Sequence, residues 1–123
     1  MALTQDQTSF YQDNGYLLLE QVIPASVLAS LCDTINGFIK ASRRVSASNR
    51  VYDLDQSHTA AHPRVRRLKD PHTLDPIFRN LAECSAIVEP VSELLDGTVR
   101  FDHSKLNFKH PAANAEISWH QDW

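Results

Sequence analysis

The stretch Ile117-Ser118-Trp119-His120-Gln121-Asp122-Trp123 decides how the rest of the chain is read. His120 and Asp122 stand two apart, and in an extended strand residues i and i+2 project from one face. An imidazole and a carboxylate held that way are two of the three protein ligands of a 2-His-1-carboxylate iron(II) site, which keeps positions open for oxygen and a co-substrate. The bland reading is a strand-end histidine hydrogen-bonded to a nearby aspartate. A chain of this composition supplies roughly half a His-x-Asp by chance, so the surroundings must separate the two.

Working outward, the spacing predicts a strand over 116–122, with Glu116, Ser118, His120 and Asp122 on one face and Ile117 and Trp119 on the other. A turn at His110-Pro111-Ala112-Ala113-Asn114-Ala115 precedes it. Before the turn, 99–109 reads as a second strand. It presents His103, Lys105 and Asn107 on one face and Ser104, Leu106 and Phe108 on the other. With helices packed on the apolar face, the polar set lines a barrel interior. Such a lining costs stability unless a ligand or metal satisfies it. The alternative is a one-sided sheet whose polar face is simply wet. Two consecutive strands of the same polarity tilt the reading toward a ligand-lined interior.

Upstream, 4–14 reads as a short helix capped by Thr4 or Asp6 and stopped at Asn14-Gly15, and 16–19 as a compact apolar strand. A second helix begins at Pro24-Ala25-Ser26 with Ser26 as cap. Its stripe of Val27, Leu28, Leu31, Ile35, Phe38 and Ile39 faces a core. Residues 43–63 look like a long loop, either functional or disordered. The run Arg64-Val65-Arg66-Arg67-Leu68-Lys69 reads as a basic edge strand, or as one whose inward arginine meets a carboxylate. Helical patterns follow over 74–84 and 86–95, the second ending at Asp96-Gly97.

The chain has the length of one small domain. Its net charge of −3, with acids and bases interspersed, gives no footprint for nucleic acid or an anionic membrane. No signal peptide or membrane span is read, and Cys32 and Cys84 are expected as reduced core thiols of a cytoplasmic protein.

Three segments together resemble the phytanoyl-CoA dioxygenase family of Fe(II)/2-oxoglutarate oxygenases. They are Phe10-Tyr11-Gln12-Asp13-Asn14-Gly15-Tyr16, then Val65-Arg66-Arg67-Leu68-Lys69-Asp70, and finally Lys105-Leu106-Asn107-Phe108-Lys109-His110-Pro111 with Trp119-His120-Gln121-Asp122. The resemblance implies an α+β chain with a double-stranded β-helix, a cupin-like jelly roll. Residues 1–97 would be its helical layer and flanking strands, and 98–123 its first core strands. It makes His120 and Asp122 iron ligands. It places Lys105, Asn107 and Arg67 at the 2-oxoglutarate pocket, with Arg66 the alternative by register. Gln121 would help position the co-substrate, and Trp123 would stand toward the substrate.

The implied activity is hydroxylation of an unactivated carbon in a small molecule or acyl-CoA thioester, using O2, 2-oxoglutarate and iron, with ascorbate as accessory reductant. Related halogenases replace the carboxylate with a small residue, so Asp122 favours hydroxylation. The family's distal histidine and 2-oxoglutarate-binding arginine come from later strands, which these residues do not include. A fragment that binds iron poorly is therefore expected, and neither His103 nor His110 is expected to replace the missing ligand. The rivals are a non-catalytic jelly-roll module holding a small anion through Arg67 and Lys105, a metal-dependent hydrolase built on His120 and Asp122, and a purely structural domain.

Overall fold

A computed structural model describes residues 2–111 and 118–120. Four helices and a three-stranded antiparallel sheet follow in the order α1 (Gln5–Asn14), α2 (Ala25–Ala41), β1 (Tyr52–Leu54), β2 (Val65–Lys69), α3 (Pro76–Ala82), α4 (Ser85–Leu94) and β3 (Lys105–Asn107). The chain is thus α+β. Its residues divide into two units: 1–34 with 72–103, and 35–71 with 104–123.

The first unit is helical. Thr4 caps α1 in a capping box: its hydroxyl accepts from the Gln7 N–H, while the Gln7 side chain accepts from the Thr4 N–H. Gly15 ends the helix at φ 77°, a left-handed conformation that favours glycine. Leu31 is buried on α2. That helix begins at Ala25, so Ser26 sits inside it rather than capping it. The Pro24 carbonyl accepts the first N–H groups, from Val27 and Leu28. Asp75 caps α3 by accepting from the Ile77 N–H at 2.9 Å, ahead of Pro76 in the first turn, where a missing N–H costs nothing. Phe78 is the buried residue of α3.

Residues 16–19 form no strand. Tyr16 and Leu18 are exposed, and Tyr16 packs edge-on against Phe10 with ring centroids 5.3 Å apart. Propensity alone cannot make a strand without a partner to take its hydrogen bonds. Cys32 is exposed rather than a core thiol, and Cys84 is half-buried; both are free. No described helix is long and apolar enough to cross a membrane.

The second unit holds the sheet, ordered β1-β2-β3. Its core is Tyr52, Val65 and Leu68, of which Leu68 is 1 % exposed. Strand β1 lies within the stretch expected to be loop. Asn49 starts it: its side-chain oxygen accepts from the N–H groups of Val51 and Tyr52, turning the backbone into the ladder. The Tyr52 hydroxyl donates to the Phe38 carbonyl at 3.0 Å, joining β1 to the end of α2.

The pairs Tyr52–Leu68, Asp53–Arg67 and Leu54–Val65 show that Arg66 is an extra residue in β2, a bulge. The sequence demands it. Val65 and Leu68 are both buried yet three apart, and a regular strand would turn one of them outward.

Candidate functional site

The β2–β3 pairing builds the site's described part. Its partners are Arg67–Asn107, Leu68–Leu106 and Lys69–Lys105, and directly opposed residues share a face. Leu68 and Leu106 therefore turn to the apolar side, while Arg67, Asn107, Lys69 and Lys105 share the other. Arg67, not the bulged Arg66, is the arginine that pairs with Asn107. Because Leu68 is buried, its neighbour Arg67 must face the polar side beside Asn107.

The Arg67 Nε–H donates to the Asn107 side-chain oxygen at 2.9 Å. A guanidinium only donates, so the asparagine must offer its oxygen to it and present its NH2 group elsewhere. One of the two lone pairs of the Asn107 oxygen is thereby given to Arg67. On β2 and β3 this row presents mainly donors: the guanidinium nitrogens of Arg67, the Asn107 amide and the Lys105 ammonium. The Asp53 carboxylate opposite Arg67 on β1 shares the face as an acceptor. An ionised carboxylate, which only accepts, is the complementary ligand. Lys69 and Lys105 stand directly opposite, an unfavourable like-charge pair. The Lys69 ammonium donates to the Asn49 carbonyl at 2.9 Å.

The strand expected over 99–109 is shorter, running only from Lys105 to Asn107. His103 lies outside it and does not join the polar face. It is exposed, and its Nδ1 meets the Asp102 carboxylate at 2.7 Å. The His103 hydrogen bond, followed by its charge, holds the Asp102 carboxyl below the usual range. His110 lies just past β3, and its Nε2 is buried with no hydrogen-bond partner among the described residues.

In the terminal motif, residues 118–120 are described and form no strand. Trp119 is fully exposed, not packed on an apolar face. His120 is exposed, and its Nδ1 lies 2.8 Å from the Ser118 carbonyl. A carbonyl only accepts, so Nδ1 carries a proton and donates it to that oxygen. That is how a second partner commonly sets a metal-ligating imidazole. Among the described residues no three His, Cys, Asp or Glu side chains come together to hold a metal. Gln121, Asp122 and Trp123 lie outside the described residues, so the pairing of Asp122 with His120 rests on the sequence.

Sequence reading missed Asp53, which stands opposite Arg67 on β1. Its signal was the short alternation Tyr52-Asp53-Leu54 between Asn49 and Asp55, hidden in a polar stretch. In the helical unit, a groove of about 520 Å³ is lined by Val22, Val27, Ile77, Leu81, Cys84 and Ala86. It is mostly apolar, and its lining holds no ionisable group beyond the Cys84 thiol. The charged side chains gather instead on the strand face.

Two relatives match over 122 residues at 25 % identity: the ectoine dioxygenases of Bordetella parapertussis and Bordetella bronchiseptica. The alignment takes in 99 % of this chain and 38 % of each relative, so the chain spans well under half their length. The family model for phytanoyl-CoA dioxygenase (PhyH) matches residues 11–123. A match that runs through the helices, the sheet and the terminal motif settles the affiliation: this chain belongs to the phytanoyl-CoA dioxygenase family.

Proposed function

We propose that the chain carries part of the active site of an Fe(II)/2-oxoglutarate-dependent dioxygenase that hydroxylates an unactivated carbon of a small-molecule or acyl-CoA-type substrate. Residues 1–123 are read as the N-terminal part of one jelly-roll domain. The observation that carries the proposal is the donor-rich row of Arg67, Asn107 and Lys105 on adjacent strands. His120 and Asp122 hold the metal, and the proton on His120 Nδ1 suits that role. Arg67, Lys105, Asn107 and Gln121 receive 2-oxoglutarate, and Trp123 stands toward the substrate.

When bound, iron supplies oxygen activation coupled to decarboxylation of 2-oxoglutarate to succinate; the protein supplies placement and exclusion of water. Arg67 is pre-oriented by Asn107, so less freedom is lost when its guanidinium meets a carboxylate. Lys105 adds a compact charge from the next strand. The donors hold the co-substrate in its ionised form, because each stabilises negative charge.

Anaerobic calorimetry with 2-oxoglutarate, with and without Mn(II), tests the reading on the full chain. Because His120 and Asp122 alone are expected to hold metal weakly, binding should tighten at saturating Mn(II), and His120→Ala or Asp122→Ala should remove that gain while leaving the weaker metal-free binding. Equal affinity with and without metal would replace the oxygenase reading with a non-catalytic anion-binding module.

A further inference from the structure

We infer that His58 is a positioning residue that fixes the bulge at Arg66 and thereby the approach of β2 to the donor row. The half-buried ring sits in the β1–β2 connection and makes three backbone contacts. The Arg64 N–H donates to Nδ1 at 2.8 Å, so Nδ1 carries no proton. The proton is then on Nε2, which lies 3.2 Å from the Ser42 carbonyl and 3.1 Å from the Val45 carbonyl. Both ring nitrogens are thus committed in one neutral tautomer, bridging the turn after α2 to the start of β2.

Arg64 is held at both of its backbone groups, since its carbonyl accepts from the Asp55 N–H at 2.9 Å. This places Val65 opposite Leu54. Downstream, burial of Leu68 opposite Tyr52 fixes the other end of the strand. Between these two anchors the strand has one residue too many, and it must be Arg66. Without His58 only the burial of Val65 and the Asp55–Arg64 bond oppose a slide of the bulge toward Arg64, which would set Arg66 opposite Leu54 and regularise the twist that aims Arg67 at Asn107. The loop has a second tether, because Arg43 donates to the Ala60 and Ala61 carbonyls at 2.9 and 3.3 Å. That tether does not touch Arg64.

Nuclear magnetic resonance on the unmodified chain reads the ring directly, through its tautomer and the coupling across the Arg64 N–H···Nδ1 bond. A ring protonated on Nδ1 overturns the inference. In His58→Ala, the Leu54–Val65 cross-strand contact should give way to Leu54–Arg66, and the Arg67 Nε–H should lose its protection from exchange. His58→Gln, whose amide can both accept and donate, should restore both signals. Arg43→Met should leave them unchanged. An unaltered register in His58→Ala, no rescue by His58→Gln, or an equal shift in Arg43→Met each sinks the idea.

Only the link to 2-oxoglutarate rests on the dioxygenase reading. Its affinity should fall about fivefold in His58→Ala and return in His58→Gln, a modest free-energy change. A register shift without an affinity change would instead remove Arg67 from the co-substrate site and end the positioning role.

Discussion

Leu68→Ala is the perturbation most directly tied to both fold and site. The side chain is 1 % exposed at the centre of the sheet, opposite Tyr52 on one side and Leu106 on the other. Truncation removes three buried carbons, worth about 2.4 kcal/mol at roughly 0.8 kcal/mol each. Incomplete collapse of the surrounding core adds a cavity cost, bringing the expected loss to about 3–4 kcal/mol. Domains of this size commonly have only ~5–15 kcal/mol in total, so the variant loses a large share. Urea unfolding followed by circular dichroism measures it. Leu18→Ala, at a site 75 % exposed, is the control and should change stability by less than ~0.5 kcal/mol. The loss should reach the donor row as well, because Arg67 and Lys69 flank Leu68 and take their facing from its burial. The Arg67 Nε–H should then exchange faster in folded Leu68→Ala. If Leu68→Ala costs less than about 1 kcal/mol, or no more than Leu18→Ala, the assignment of Leu68 as the anchor of β2 is wrong.

Further outcomes follow from single contacts. Lys105→Gln removes a charge from directly opposite Lys69, so it should stabilise the sheet by up to about 1 kcal/mol while weakening 2-oxoglutarate binding; urea titration and calorimetry on one sample read the trade. Burial pushes the Tyr52 hydroxyl above its ordinary 10.0. The unfolded chain therefore loses that proton first, and this contribution to stability is full below about pH 10 and lost as the pH rises through the folded value. Tyr52→Phe should flatten that alkaline decline and cost about 1 kcal/mol at neutral pH for the lost bond to Phe38. The Asp55 carboxylate accepts from both the hydroxyl and the N–H of Ser57, which, the hydroxyl first, hold its carboxyl below the usual range. Its support of the turn is present above the ordinary carboxylate range and lost as pH falls through the lowered value. Exchange at the Ser57 amide should accelerate only there. Thr4→Ala removes the capping box and should cost about 1 kcal/mol, seen as fraying of α1 in helical circular dichroism.

Much of this protein is written locally. Thr4 with Gln7, Asn14 with Gly15, and Asp75 with Pro76 mark helix ends through groups a few residues apart, so their chemistry shows in the sequence. The donor types at Arg67, Lys105 and Asn107 are legible for the same reason, and so is the family to which the terminal motif pointed. The misses share a physical cause. An apolar run at 16–19 resembles a strand, but no partner in the described structure takes its hydrogen bonds. The alternation at Tyr52-Asp53-Leu54 is too short to announce a strand until β2 lies beside it.

What the sequence determined by itself, then, was the identity of the groups and the periodicity of the long helices, because these depend on neighbours in the chain. Which arginine meets Asn107 was decided only by tertiary structure. Arg66 and Arg67 are chemically equal and adjacent, and the choice between them turns on Leu68 being buried between Tyr52 and Leu106, from segments far away in the chain.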